Sequence, residues 1–448
     1  MSTLADPGFM QPGFVQPGAR WRNWGRSATA TPQFVARAGI AEDVTQTVRF
    51  AASRDLTVKA VGAGHSFTAI AATDGVLVDV SALDGVLAVD GNLVTIGAGT
   101  NLHQLPALLE PLGLAMPNLG DIDRQTIVGA TATGTHGTGA RFGGLATQLR
   151  ALTLVTADGS MLRVSDTENP ELLPAAVLGL GALGVIVDVT IECVPAFLLH
   201  AVERPEPVEL VLEEFADRIA AIDHFEFYVW PHTEVALTKS NMRLPAGAPR
   251  HPLDRFKEWF DDDFMANGVY RVTLNAGRAV PALIPPLNRL SVKLTGDREF
   301  TDVSAGVFTT KRTVRFREME YALPVERIPD AVREVRALIA RRDWKISFPI
   351  EVRAAAADDV WLSTAHGRAT GYIAVHRYFR EDPTEYFRAV EEIMIGFGGR
   401  PHWGKMHNRD AAALAGDYPR FADFVAVRDR LDPERRFANP YLTRVLGA

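Results

Sequence analysis

Two loops built from glycine, serine and threonine each carry one histidine. The first is Val61-Gly62-Ala63-Gly64-His65-Ser66-Phe67-Thr68. The second runs from Gln125 to Gly139 and holds Thr126, Gly129, Thr133, Gly134, Thr135, His136 and Gly137. Small residues let a backbone approach a ligand closely. Successive N–H groups in such turns form concavities that bind anions, and hydroxyl and amide donors suit pyrophosphate oxygens. Two loops of this kind on one chain point to a large phosphate-bearing cofactor. Neither is a common nucleotide fingerprint. Phe67 stands where G-x-G-x-x-G needs its third glycine, and a Thr73-Asp74-Gly75 turn follows instead of a long helix, which argues against a Rossmann turn. No G-x-x-x-x-G-K-[ST] occurs.

Three further groups carry charge or a titratable ring. Glu351-Val352-Arg353 ends a strand-like run, where alternation places both charged side chains on one face. Phe348, Pro349 and Ile350 before them suggest a half-buried pair; the competing reading is a surface ion pair of little energetic worth. His402-Trp403-Gly404-Lys405-Met406-His407 follows Arg400-Pro401. It reads as a loop, and it lacks the acidic base of H-E-x-x-H. His376, on the run Tyr372–Tyr378, suits either an active site or the core. Trp24, Trp230 and Phe225-Glu-Phe-Tyr are read as core aromatics rather than as a platform for sugars.

The elements that must position these groups fall into two textures. Ala41–Ser53 reads as a helix, with Glu42 and Asp43 near its start and Val44, Val48 and Ala51 on one face. Thr57–Val61 is a short strand entering the first glycine loop. Gly75–Val80, Gly85–Val89 and Leu93–Ile96 are further strands, Leu102–Leu112 a helix, and Gln148–Thr156 with Met161–Val164 a hairpin. A glycine-rich turn over Leu178–Gly184 leads into the strand Val185–Val194. After Pro195, helices (Val208–Ile222, Ile328–Arg341, Pro383–Ile395) alternate with strands (Phe225–Val229, Thr313–Tyr321, Ile346–Arg353, Tyr372–Tyr378). Residues 240–300 are rich in proline and charge, with amphipathic helical pieces.

At 448 residues, two domains are the natural expectation. A net charge of -7 with no long basic run argues against nucleic-acid binding. The single cysteine, Cys193, excludes an internal disulfide and suits a reducing compartment. Residues 1–20 lack the charged and apolar regions of a secretory signal, and no apolar run reaches membrane-spanning length. A cytoplasmic or membrane-peripheral location is the expectation.

Taken together in this order, the G-A-G-H-S-F-T loop, the T-H-G-T-G loop, the Gly-Ala-Leu-Gly-Val-Ile strand start and the late H-W-G-K element resemble the vanillyl-alcohol-oxidase-type flavoproteins. Within them, the likeness is to the sugar-1,4-lactone oxidoreductases, over about residues 20–448. The resemblance implies an α+β chain: an irregular arm (1–20), a two-subdomain FAD-binding domain (21–195), an α+β substrate or cap domain (196–400), and a C-terminal segment (401–448) returning to the flavin domain. It implies FAD held by Val61, Gly62, Ala63, Gly64, His65, Ser66, Asp121, Thr126, Gly129, Thr133, Gly134, Thr135, His136, Gly137, Val185, Ile186 and His402. His65 would carry the flavin covalently through its 8α carbon. Glu351 would hold substrate hydroxyls, Arg353 and Lys405 would offset negative charge on the reduced flavin and the alkoxide, and His376 is a further catalytic candidate. No metal is expected.

The activity implied is oxidation of a sugar 1,4-lactone of the L-gulono type at its C2 hydroxyl, with a dehydrogenase favoured over an oxidase. Oxygen, a quinone or a cytochrome would take up the electrons. An alditol oxidase acting on open-chain polyols and a D-arabinono-1,4-lactone oxidase using oxygen are alternatives in the same class. A zinc hydrolase built on His65, His136, His402 and His407 has poor ligand spacing, and a non-catalytic carbohydrate-binding protein is the remaining class.

Overall fold

A computed structural model describes residues 11–448. Residues 1–10 of the expected arm lie outside the described residues. The rest of the arm is not irregular: Val15–Pro17 pairs antiparallel with Phe34–Arg37 at the edge of a four-stranded sheet. A three-residue strand is too short to show a period, and the buried Val15 side chain is its anchor.

The rest of this sheet is parallel. Val76–Asp79 lies between Phe34–Arg37 and Val58–Val61, and the helix Ala41–Ala52 covers it. That helix starts where Asp43 accepts hydrogen bonds from the Gly39 and Ile40 amides, and it buries Val44, Val48, Phe50 and Ala51. A five-stranded antiparallel sheet follows, in the order Met161–Ser165, Leu149–Val155, Val185–Glu192, Leu93–Gly97, Val86–Asp90. The expected single helix over Leu102–Leu112 is instead Leu105–Leu109 flanked by two 3-10 turns. Pro106 and Pro111 account for this, since proline lacks the N–H that a continuous helix uses.

Beyond Pro195 an eight-stranded antiparallel sheet runs Arg298–Val303, Phe197–Pro207, Val235–Pro245, His224–Val229, Ile350–Ala355, Thr370–Tyr378, Phe316–Pro324, Arg400–Pro401. One of its faces is apolar. Phe225, Phe227, Val352, Ile373, Val375, Met319 and Tyr321 pack there against the helices Ile328–Arg341 and Thr384–Gly396. The first of these helices buries Ile328, Ala331, Val332, Val335, Leu338 and Ile339, an i, i+3, i+4, i+7 stripe. The opposite face carries charge and is the floor of the site described below. The expected helix over Val208–Ile222 is broken at Glu214 into Val208–Glu213 and Phe215–Ala221.

The last residues leave this sheet. Trp403, Leu414, Tyr418, Phe424, Tyr441, Leu442 and Val445 join the core formed by Ile96, Leu102, Ile127 and Leu152. Asn439 fixes the final helix, Pro440–Leu446, to the loop that follows His65. Its side-chain oxygen caps the helix by accepting from the Leu442 amide, and its Nδ2 reaches the carbonyls of Ala69, Ile70 and Ala72 at 2.8–3.0 Å. Asn439→Ala removes the cap and leaves three carbonyls short of a donor. We expect a loss of about 2–3 kcal/mol, read as a lower thermal midpoint. Asn439→Ser, which keeps a capping oxygen, should restore part of it; equal midpoints for both variants would mean that the cap contributes nothing.

Candidate active site

Side chains two apart on a strand share a face, as do residues opposite one another on neighbouring strands. Tyr228 lies opposite Glu351, Glu351 opposite Ala374, and Ala374 opposite Glu320. Glu318 lies opposite His376, and Arg353 opposite Tyr372. The register therefore gathers Glu226, Tyr228, Glu351, Arg353, His376, Glu318 and Glu320 on the polar face.

Their charges form a continuous series. Arg353 sits between Glu226 (Nε to Oε2, 2.9 Å) and Glu351 (Nη2 to Oε1, 2.5 Å). His376 follows, its Nε2 3.9 Å from Glu351 and 3.6 Å from Glu318. The His376 Nδ1–H donates to the Pro349 carbonyl, so Nε2 is the nitrogen turned to the carboxylates. Glu318 in turn pairs with Lys405. The surface-pair reading of Glu351 and Arg353 is overturned: Arg353 is buried, and the Glu351 side chain is only 15% exposed.

The glycine loops press on this face. The Gly139 amide donates to the Ala354 carbonyl at 2.8 Å, and the Thr138 hydroxyl donates to the Phe225 carbonyl. At Gly139 φ is +131°, and a Cβ would strike the Asp223 carbonyl, so glycine is required there. His136 crosses from its loop to Glu320 (Nε2 to Oε1, 2.9 Å) while its Nδ1 lies 2.8 Å from the Gly137 carbonyl. Both ring nitrogens thus face oxygens, one on its own loop and one on the sheet. His65 is half-buried, its ring stacked on Trp24 at 5.3 Å. Trp24, expected as a core residue, is thus the platform for the His65 ring. Lys405 lies 5.4 Å over the Phe67 ring.

The remaining expected residues divide. Ser66, Thr133 and His402 converge on Gly404, where an added Cβ would meet all three within 3.4 Å. Gly62 lies against Thr126, again with no room for a Cβ, so the two loops are in contact. The Leu180 amide donates to the Ala132 carbonyl, which brings the third glycine-rich turn to the second loop. The Thr126 oxygen caps the helix Ile127–Thr131 through the Gly129 amide, and the Thr133 hydroxyl donates to the Gly129 carbonyl, so both hydroxyls serve their own loop. Val185 and Ile186 pack into the cores with their side chains. Asp121 pairs with Arg312 at 2.9 Å, and its backbone carbonyl accepts from Thr310.

Electrostatics follow from burial and these partners. Burial, then Lys405 and Arg124, lower the His65 ring to about 4, leaving it unprotonated at neutral pH. Burial pushes the Glu351 carboxyl up against the opposing pull of Arg353. Burial would also raise Glu318 and Glu320, but Lys405 with His376 at Glu318, and His136 with Lys405 and His402 at Glu320, together outweigh it, and both stay low. Burial would lower the Lys405 ammonium, but Glu318 and Glu320 hold it above its ordinary value.

Two features of this donor set suit FAD. Asp121 Oδ1 and Gln125 Oε1 are buried acceptors without partners beside the second loop. The His402 Nδ1 accepts the Gly404 amide, so its proton is on Nε2, a donor with no hydrogen bond among the described residues. Acceptors for N–H or hydroxyl groups, a buried donor and two cations match a flavin with its ribityl chain. The same tautomer bears on metal binding. His136, Glu320 and His402 come within metal-ligating distance of one another, but the His402 Nδ1 lone pair is taken by the Gly404 amide.

Glu226, Tyr228, Glu318, Glu320 and Arg312 escaped the sequence reading. For Glu318 and Glu320 the signal is an acid at every second position of an apolar strand, and for Glu226 a single acid between Phe225 and Phe227.

Residues 32–165 match the FAD-binding domain family, and residues 189–445 match the D-arabinono-1,4-lactone oxidase family. The chain is 44% identical over 429 residues to the L-gulono-1,4-lactone dehydrogenase of Mycobacterium tuberculosis, covering 95% of this chain and 99% of that protein. It is 33% identical to the L-gulonolactone oxidase of Bos taurus, covering 96% and 98%. A crystal structure of cholesterol oxidase from B. sterolicum superposes with a TM-score of 0.82 at 18% identity, covering all of both chains, which shows a shared fold. With a glycine-loop flavin half joined to a charged sheet, and with likeness of this extent, the chain belongs to the FAD-dependent sugar-1,4-lactone oxidoreductase family, whose fold is of the vanillyl-alcohol-oxidase type.

Proposed function

We propose that this enzyme oxidises the C2 hydroxyl of a sugar 1,4-lactone of the L-gulono type to a 2-keto lactone, which can enolise to an ascorbate-type acid. The observation that carries the reading is the charged series Glu226–Arg353–Glu351–His376–Glu318–Lys405 on a buried sheet face, beside the loop of His65. A sugar lactone offers several hydroxyl donors, and such a face offers acceptors held in place by their own counter-ions. Bound FAD supplies the acceptor for the hydride that leaves C2. Glu351 accepts the hydroxyl hydrogen bonds and takes up the hydroxyl proton, and His376 passes it towards Glu318. Lys405 and Arg353 lower the energy of negative charge that develops where water is excluded. The domain division into a flavin half (21–195), a cap (196–400) and a returning segment (401–448) is part of the same reading. The test is anaerobic mixing with L-gulono-1,4-lactone and with open-chain polyols. The lactone should bleach the flavin absorbance and polyols should not. The reduced enzyme is then exposed to air, a quinone or a cytochrome to identify the acceptor, and a non-oxygen acceptor is expected to react faster.

We further propose that His65 carries the flavin covalently. Its unprotonated ring, stacked on Trp24, supports this. Flavin should remain on the polypeptide through acid precipitation, and His65→Ala should release it. Because the ring binds a proton only near pH 4, attachment to flavin-free protein should proceed as well at pH 5.5 as at pH 7 and fail as the pH falls through that value. A decline already near the ordinary histidine range would contradict the assignment.

Glu351→Gln keeps the shape and loses the charge. We expect kcat/KM for the lactone to fall roughly ten- to hundred-fold, with KM raised. The acid limb of the pH profile is the sharper reading. Burial raises the Glu351 carboxyl, so activity of the parent should be lost, as pH falls, above the ordinary carboxylate range. Glu351→Gln should abolish that limb. If Glu351 only braces Arg353, the variant loses thermal stability while the folded fraction keeps the parental profile.

A further inference from the structure

The segment 255–296 takes no part in the site above and has an unusual outer face. Its inner face is anchored: the Tyr270 hydroxyl donates to the Ser347 carbonyl, Asn288 donates to the carbonyls of Pro231 and Ile346, and Leu274 and Ile284 are buried. The outer face is apolar. Among the described residues eighteen large apolar side chains are exposed, and nine of them lie between Phe256 and Leu294. Phe256 is 70% exposed, Trp259 50%, Leu294 61%. Phe256, Trp259, Phe260 and Phe264 stack on one another with ring centroids 5.5–6.4 Å apart, as a single exposed aromatic cluster. Monomers in water rarely display such patches without a use.

Charge selects the occupant. From Phe264 to Gly296 the chain has no acidic residue, while Arg271, Arg278, Arg289 and Lys293 are all exposed. This is a basic, apolar face on a protein whose net charge is -7. Of the neighbouring acids, Asp262 pairs with Arg298 at 3.0 Å and Asp263 with Lys311 at 2.6 Å, so neither is turned to these four cations. A second copy is a poor occupant. A two-fold contact through the stretch Phe264–Gly296 would set these cations against their own copies, and that stretch holds no acid to compensate. The helices Tyr270–Ala279 and Ile284–Leu294 are far too short to span a bilayer. Aromatic and aliphatic side chains framed by Arg and Lys are what an element lying in the headgroup region presents.

We infer that this segment docks the enzyme on an anionic lipid surface, with Phe256, Trp259, Phe260 and Phe264 inserted among the headgroups and the four cations of the two helices behind them on the lipid charge. The experiment uses the flavin-loaded full-length protein. It should float with vesicles of equal phosphatidylglycerol and phosphatidylcholine, and far less with phosphatidylcholine alone or in high salt. Brominated acyl chains should quench its tryptophan fluorescence. Trp259→Phe should still float but lose that quenching, which places the contact at this residue. The double variant Arg289→Ser/Lys293→Ser should bind about twenty-fold more weakly, at about five-fold per cation. Phe260→Ser/Phe264→Ser should fail to float. In each variant the flavin spectrum and lactone turnover without vesicles should match the parent. The inference is overturned if the parent stays with the unbound fraction on anionic vesicles. It is equally overturned if Trp259→Phe leaves the quenching unchanged. A parental dimer that Phe264→Glu converts to monomer would assign the face to self-association instead.

Discussion

The burial of many charges on one sheet face constrains everything around them. An ion removed from water without a partner costs several kcal/mol, and removing one partner of a buried pair costs roughly 3–5 kcal/mol. The face holds together because each group is answered from another strand or loop. Glu351 and Glu226 answer Arg353, Lys405 answers Glu318, and His136 answers Glu320. Of these, the His136–Glu320 pair joins the two halves of the molecule, since one partner is on a glycine loop and the other on the eight-stranded sheet. The stacking of His136 on Tyr372, with centroids 3.5 Å apart, leaves the ring no alternative orientation.

The same constraint explains the small residues. A loop that must lay its backbone against a charged sheet has no room for side chains at the points of contact, and glycine stands at those points. Gly139 reaches the Ala354 carbonyl, Gly62 lies on Thr126, and Gly137 lies on Asn118 and Leu119. The hydroxyls of Thr126 and Thr133 also finish the short helix between them. A run of glycine and threonine therefore carries two messages, ligand contact and close packing of backbone on backbone, and the contacts of these loops show the second.

This doubling decides how much the sequence could tell. The amphipathic helix Ile328–Arg341 was legible to the residue, because six apolar positions repeat at helical spacing and Pro329 and Asp330 mark its start. The glycine loops and the Glu351–Arg353 pair were legible by composition and by strand alternation. Glu226, Glu318 and Glu320 were hidden for a physical reason. A lone acid in an apolar strand reads as a solvent-facing residue, and only pairing across strands reveals a second buried layer of charge opposite it. Trp24 was hidden because an aromatic residue near the chain's start has no local pattern, and its meaning lies in the His65 ring beneath it. The strand at Val15–Pro17 and the breaks at Pro106 and Glu214 were lost to length, since each is decided by two or three residues.

The placement of Lys405 shows why the chain's end must return to the flavin half. Lys405 belongs to a loop without regular structure, which alone would leave a flexible side chain undirected. Its neighbours remove that freedom one by one. The His402 and Met406 amides donate to the Glu320 and Glu318 carbonyls, so the loop runs along the sheet as an irregular continuation. The Gly404 carbonyl accepts the Phe67 amide, which ties it to the loop of His65 at 2.7 Å. The Trp403 ring is fully buried, its Nε1–H donates to the Leu362 carbonyl, and its own carbonyl accepts from Tyr441 on the last helix. Four distant parts of the sequence thus meet within five residues, and the ammonium is delivered between Glu318 and Phe67 by packing rather than by the lysine's own preferences. A cation held this way needs little rearrangement when charge develops beside it, the condition under which electrostatic stabilisation is most effective.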